Sequence, residues 1–360
     1  MNPSGGFPVP SSAVAALHRA MPLSRLSDCG MDDTDAAALH ARTAAGEDWA
    51  DVAAAQASAR LRQARSALGK GHLITAITAA RWAAGAAWSA QLADHQDTAR
   101  KRALYKSFTK TMSFVASLDG MQRVEIPYRD GRLTGWLRCP ETRPAAGTVI
   151  VYGGLSNWAP AQLRTADAIT ARGLACLLAE GPGQGEPRLE HGLYMDERAA
   201  DGFACFVDTV IADAALRGPV GILGNSLGGL FAALVAAGDP RVAACVVNGA
   251  PPAPAAANGF RFGSLQELLI VSFGSPKEDA LKAALRTLRF DPALNPIRCP
   301  VLSLHGAADR IVSRDEAQAF ADASPRGRLE SWPDGEHTIY NHPRERDALV
   351  ADWLADELGN

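Results

Sequence analysis

The stretch Val220-Gly221-Ile222-Leu223-Gly224-Asn225-Ser226-Leu227-Gly228-Gly229-Leu230 decides how this chain is read. Val220 to Leu223 is a short apolar run of strand type, and an apolar helical pattern follows from Leu227 to about Ala237. Between them stands Gly-x-Ser-x-Gly. A serine that is to act as a nucleophile must stand proud of a sheet on a strained strand-to-helix turn, and small flanking residues let neighbouring backbones approach it. Ser226 is therefore the candidate nucleophile. The uncharged stretch from Gly218 to Gly238 is long enough to span a bilayer, but Pro219, Asn225, Ser226 and its glycines favour a strand, a turn and a helix instead.

On both sides of this motif the pattern alternates. Apolar runs at Thr148 to Tyr152, Leu174 to Leu178, Val242 to Val247, Val301 to His305 and Arg328 to Trp332 are separated by helical patterns, which predicts parallel strands with crossover helices. Val124, Ile126 and Tyr128, then the Asp130-Gly131 turn signal, then Leu133 and Leu137 read as an antiparallel hairpin. The expected fold class is α/β, a mostly parallel doubly wound sheet with an antiparallel N-terminal hairpin. The Pro/Gly/Ala-rich stretch from Pro251 and the helical segment after it form an insertion at about 251–292, over the carboxyl edge where ligands bind in such sheets.

Before residue 119 the chain reads as helix only. One helix is expected from Trp49 to Leu68. A second has Leu73, Ile77, Ala80, Ala84, Trp88 and Leu92 on one buried face. A third has Leu104, Phe108, Met112, Val115 and Leu118 on one side and Arg100, Lys101, Arg102, Lys106 and Lys110 on a solvated face. Residues 1–118 are accordingly read as a helical N-terminal domain and 119–360 as the catalytic domain. The apolar faces of the first, with Trp82, Trp88 and Phe108, need a partner, so it is expected to act as a lid on the second.

A serine nucleophile needs a base, and the base needs an acid to orient it; in sheets of this kind they follow in the chain order Ser, Asp/Glu, His. Asp309 lies just beyond a predicted strand, and His337 lies in a loop after the last one. His305 would fall inside a strand, His342 precedes a proline, and His18, His40, His72 and His95 belong to the helical half. The oxyanion formed on attack needs two fixed N–H donors. One is expected from Leu227, the other from Gly154 or Leu155 in the loop after Tyr152. Trp158, Tyr194, Phe260, Phe262 and Tyr340 lie in loops that could line a substrate site. The Gly181-Pro182-Gly183-Gln184-Gly185 loop lacks the Lys-Ser/Thr of a phosphate loop and the spacing of a dinucleotide fingerprint, so no phosphate site is read from it.

Hydrophobic residues make up 47% and charged residues 21% of the 360, values of a folded globular chain. Thirty-six Lys+Arg against 39 Asp+Glu leave a net charge of -3, which gives no field to attract nucleic acid or anionic lipid. The six cysteines are scattered, without a C-x-x-C pair, and are expected as reduced thiols rather than a disulfide framework or a metal site. No cofactor is expected. The first residues lack the charged-then-apolar pattern of a secretory signal, so a cytoplasmic protein acting on a small molecule is expected.

Ser226, Asp309, His337 and Gly153-Gly154 resemble the α/β-hydrolase superfamily. The helical first half, with Gly71-His72-Leu73-Ile74-Thr75-Ala76 opening a long helix, together with Tyr152-Gly153-Gly154 and Glu180 to Glu186, resembles the branch containing 2,6-dihydroxypseudooxynicotine hydrolase and fungal polyketide chain-shortening hydrolases. The resemblance implies cleavage of a carbon–carbon bond beside a ketone and a homodimer in which the helical half helps cover the site. The chain departs from the branch pattern at Ser156-Asn157-Trp158, which replaces an acidic and basic stretch, and at Glu180, where aspartate is usual. The same core also hosts carboxylesterases, thioesterases, acyltransferases and cyclases, and these are the alternative expectations.

Overall fold

The computed structural model describes residues 12–141, 144–216, 218–254 and 263–359. The chain divides into two compact units, residues 1–94 with 98–119, and residues 95–97 with 120–360.

The first unit is helical: α1 (Ser12–Ala20), α2 (Leu23–Asp28), α3 (Asp33–Ala44), α4 (Trp49–Gly69), α5 (Leu73–Ala90) and α6 (Ala99–Asp119). Asp32 and Asp48 cap α3 and α4, their side chains accepting from the free backbone N–H groups of the first turns. Helix α5 buries a run of alanines from Ala76 to Ala90, and small side chains let helices approach closely. A Cβ on Gly85 would lie 2.4 Å from the Gly30 and Met31 backbone, which holds the turn after α2 against α5. Two details differ from the periodic pattern. Leu73 and Ile74 open α5 and are exposed, so the buried face begins only at Ala76. Lys101 is buried rather than solvated, because its ammonium donates to the carbonyls of Gln91 and Asp94 beyond the end of α5. Trp82 lies within the unit under the Arg60 guanidinium, 4.7 Å from its ring centre.

The second unit carries an eight-stranded sheet: β1 (Gln122–Tyr128), β2 (Gly131–Arg138), β3 (Thr148–Tyr152), β4 (Ala175–Glu180), β5 (Val220–Asn225), β6 (Val242–Asn248), β7 (Val301–Gly306) and β8 (Gly327–Trp332). Its order is β1-β2-β4-β3-β5-β6-β7-β8. The β1/β2 and β2/β4 pairs are antiparallel and the remainder parallel, as the alternating pattern predicts. The continuous apolar runs have a simple cause: β3, β4 and β7 are buried at every residue because helices cover both faces. Those helices are α7 (Leu163–Thr170), α8 (Gly185–Leu189), α9 (Ala199–Ala212), α10 (Leu227–Gly238), α11 (Gly263–Ser272), α12 (Glu278–Thr287), α13 (Arg314–Asp322) and α14 (Pro343–Leu358). On one face Phe203 of α9 stacks on Phe231 of α10 at 4.3 Å and meets Tyr152 of β3 at 4.8 Å.

The hairpin turns at Arg129-Asp130, with Arg129 at φ 49, while Gly131 already pairs with Tyr128 inside the ladder. Gly131 is required for a different reason from the turn its sequence suggests: a Cβ there would meet the His191 side chain at 2.8 Å. Strands β4, β5 and β6 run one to two residues past their apolar runs, so Glu180, Asn225 and Asn248 stand in the sheet at its carboxyl edge. Helices α11 and α12 fall between β6 and β7. Among the described residues no helix is long and apolar enough to cross a membrane.

Candidate active site

Four parallel strands deliver the singled-out residues to one edge. β5 ends at Asn225, next to Ser226; β7 ends three residues before Asp309; β8 ends five before His337; and β3 ends at Tyr152, followed by Gly153-Gly154. In an open parallel sheet the carboxyl ends share one side, which gathers residues far apart in the chain.

Ser226 sits at φ 53, ψ -126, a conformation that ordinary side chains avoid. The turn is held from both sides, because the Ser226 N–H donates to the Asn248 carbonyl at 2.8 Å and the Gly229 N–H donates to the Ser226 carbonyl at 2.8 Å. The flanking glycines leave room for backbone. A Cβ on Gly224 would lie 2.2 Å from the Gly228 carbonyl oxygen, and one on Gly228 would lie 2.3 Å from that of Gly153. Since both obstacles are main chain, Gly228→Ala should destabilise the fold by about 1–3 kcal/mol and displace the Gly153-Gly154 loop. A thermal melt together with a turnover assay checks this; an alanine variant of full stability and activity would show the loop to be free.

His337 Nε2 lies 2.9 Å from Ser226 Oγ, and its Nδ1 lies 2.8 Å from Asp309 Oδ2. These partners assign the proton to Nδ1, leaving Nε2 to accept from the serine hydroxyl. The Asp309 side chain is fully buried, and its other oxygen accepts the N–H groups of Ile311 and Val312 at 2.7 and 3.2 Å. Burial, the largest influence, pushes this carboxyl up. The attraction and hydrogen bond of His337 and the two amides together outweigh it and hold the group below its ordinary value. The histidine sits on a tight turn in which Thr338 and Ile339 both have φ 57. That turn is anchored at the Thr338 carbonyl, which accepts from Asn248 Nδ2 and from the Arg346 guanidinium, each at 3.0 Å. Asn248 Nδ2 also donates to Asn225 Oδ1 at 2.7 Å, so one amide ties the serine turn to the histidine turn.

Of the two candidates for the second oxyanion donor, the structure removes Gly154, whose N–H is already donated to the Asn157 carbonyl at 2.8 Å. Gly154 has a steric part instead, since a Cβ on it would come within 3.1 Å of the Ser226 Cβ. The Leu155 N–H makes no hydrogen bond among the described residues, nor does that of Leu227 at the first position of α10.

The aromatic candidates fare differently. Trp158 is 1% exposed, with its Nε1–H donated to the Leu155 carbonyl at 3.2 Å and the Arg188 guanidinium 5.3 Å from its ring centre; this is the setting of a packing residue. Tyr194 donates its hydroxyl to Asp97 at 3.0 Å, and Tyr340 donates its hydroxyl to Glu336. Phe260 and Phe262 lie outside the described residues. His305 is buried between Ser331 and the Val312 carbonyl, and His342 faces Asp334 and Glu345, so neither approaches Ser226. Burial pushes the Cys176 thiol up to about 12 and Cys299 up to about 11, and all six cysteines are free thiols. The sequence gives no role to Asn248 or Arg346, and it shows Gln184 only as part of a glycine-rich loop.

The chain has the α/β-hydrolase fold. It is similar to 2,6-dihydropseudooxynicotine hydrolase of Paenarthrobacter nicotinovorans, with 26% identity over 274 residues that span 72% of this chain and 70% of that protein. The crystal structure of the 2,6-dihydroxy-pseudo-oxynicotine hydrolase superposes with a TM-score of 0.82 at 23% identity, over 93% of this chain and 95% of that one. Wild-type AbyA5 superposes with a TM-score of 0.71 at 18% identity, over 96% and 95% of the two chains. No family model matches the chain.

Proposed function

We propose that this protein is a serine hydrolase that cleaves a carbon–carbon bond beside a ketone, acting on aryl ketones or β-diketones of polyketide type. Ser226 is the nucleophile, His337 the base and then the acid, and Asp309 the group that orients and steadies the imidazolium. His337 Nε2 takes the hydroxyl proton as Ser226 Oγ adds to the ketone carbonyl, and the resulting oxyanion accepts from the N–H groups of Leu155 and Leu227. Collapse of this adduct breaks the carbon–carbon bond. The departing carbon receives the electron pair and takes the proton from His337 Nε2, helped by an adjacent aryl or carbonyl group that delocalises the charge. Water, deprotonated by the same nitrogen, then adds to the acyl carbonyl, and as the bond to Ser226 Oγ breaks His337 returns that proton to the serine oxygen, releasing the acid.

One observation carries the choice of bond. Similarity to a hydrolase named for 2,6-dihydropseudooxynicotine extends over 72% of the chain, and the fold agreement over 93% takes in helices that precede the catalytic sheet. A triad alone serves esters equally well. The experiment is therefore a paired panel of β-diketones and aryl ketones against aryl esters of matched size. Ketone cleavage with kcat/KM at or above the ester values supports the reading. Inert ketones with efficient ester turnover would make the enzyme a carboxylesterase.

A further inference from the structure

The glycine-rich loop after β4 has no place in the chemistry above, yet its single polar side chain reaches the loop that follows β3. Gln184 is fully buried. Its Nε2 donates to the Gly153 carbonyl at 2.7 Å and to the Gly154 carbonyl at 3.1 Å, and its Oε1 accepts the Gly181 N–H at 3.2 Å. Both neighbours of the nitrogen are pure acceptors and the neighbour of the oxygen is a pure donor, so the amide has one orientation.

The peptide bond joining Gly154 to Leu155 is planar and trans, so its C=O and N–H point in opposite directions. A donor that pins the Gly154 carbonyl on one side therefore aims the Leu155 N–H to the other. It also draws electron density toward the carbonyl oxygen, which strengthens the N–H as a donor. The preceding peptide is held in the same way, with the Gly153 carbonyl on Gln184 and the Gly154 N–H on Asn157. Two adjacent glycines carry no Cβ to restrict how their peptide planes turn, and on the Gly154–Leu155 plane it is the Gln184 amide that holds the carbonyl.

We infer that Gln184 is a positioning residue for the oxyanion hole, fixing and polarising the Leu155 N–H from the far side of its peptide. The inference rests on the serine-hydrolase reading given above. Gln184→Met keeps the volume and removes both donors; Gln184→Glu keeps the shape and faces two carbonyl oxygens with an acceptor. Each should lower kcat by roughly 10- to 100-fold with KM little changed, less than the 10²–10³ lost when such a donor is deleted outright.

The discriminating probe is an aryl trifluoromethyl ketone, which adds Ser226 Oγ to its carbonyl and holds the resulting oxyanion in the hole. Its inhibition constant should rise in the variants in proportion to the loss of kcat/KM, while a substrate-shaped alcohol that cannot form an oxyanion binds unchanged. Gln184 variants with wild-type kcat and inhibition constant would overturn the proposal, as would parallel weakening of ketone and alcohol. If the wild-type protein fails to form the adduct, or Ser226→Ala still forms it, the nucleophile assignment fails instead. Should the variants not fold, the wild-type protein carries the test through amide NMR. On adduct formation the Leu155 N–H resonance should move downfield and that of Gly154 stay in place; the reverse would overturn the proposal.

Discussion

Ser226→Ala should lose roughly 10⁶-fold in kcat on the ketone or ester the enzyme turns over, the scale of loss when the nucleophile of a serine triad is removed. The fold should survive, because among the described residues the one hydrogen bond of the Ser226 side chain is its hydroxyl contact to His337. Its main-chain bonds to Asn248 and Gly229, which hold the turn, do not depend on the side chain. Alanine tolerates φ 53 no better than serine, so little change in melting temperature is expected. Turnover within tenfold of wild type, from a folded variant free of contaminating esterase, would remove Ser226 from the mechanism.

The second large effect is expected at Asp309. Asp309→Asn keeps the shape of the side chain but offers His337 Nδ1 either a neutral acceptor or an N–H donor. The imidazole then loses both its fixed tautomer and the charge that steadies its protonated form, at a cost of about 10⁴-fold in kcat. The same substitution exposes the linkage of Asp309 to stability. Its carboxyl is held below the ordinary value in the folded protein, so its contribution is fully present above about pH 4, the unfolded value. That contribution disappears as the pH falls through the depressed folded value. Melting curves of wild type and Asp309→Asn should therefore run parallel from neutral pH down to about pH 4 and converge or cross below it, to the disadvantage of wild type. Curves that separate only above neutrality would contradict the assignment of an ionised Asp309.

How much of this could be read from the chain depends on the length scale of the interaction. Strands β3 to β7 are largely buried, so burial writes itself into the sequence as apolar runs, and their parallel direction follows from the helices between them, whereas the place of β4 between β2 and β3 is not written in that pattern. The Ser226 turn, Asp309 and His337 were legible for a related reason, since each lies just past a strand end and the parallel sheet brings those ends together. Lys101 was not legible because helical period reports which face a residue occupies, whereas its burial depends on carbonyls of Gln91 and Asp94 outside α6. Gly131 reads as a turn residue by local composition, but the constraint comes from His191, sixty residues on. The choice between Gly154 and Leu155 turned on one carbonyl, that of Asn157, in a loop whose conformation no pattern announces. Gln184 and Asn248 escaped for the same reason: an amide side chain carries no periodic signature, and its partners lie thirty or ninety residues away.

The proposed chemistry requires a single reactive serine poised by His337 and Asp309, and covalent labelling tests that most directly. After treatment with a fluorophosphonate, intact mass should show one adduct per chain. Peptide mapping should place it on Ser226, within the segment Gly224 to Gly228, and labelling should be slowed by orders of magnitude in Asp309→Asn. A catalytically active protein that takes up no label, or carries it on any residue other than Ser226, would contradict the account.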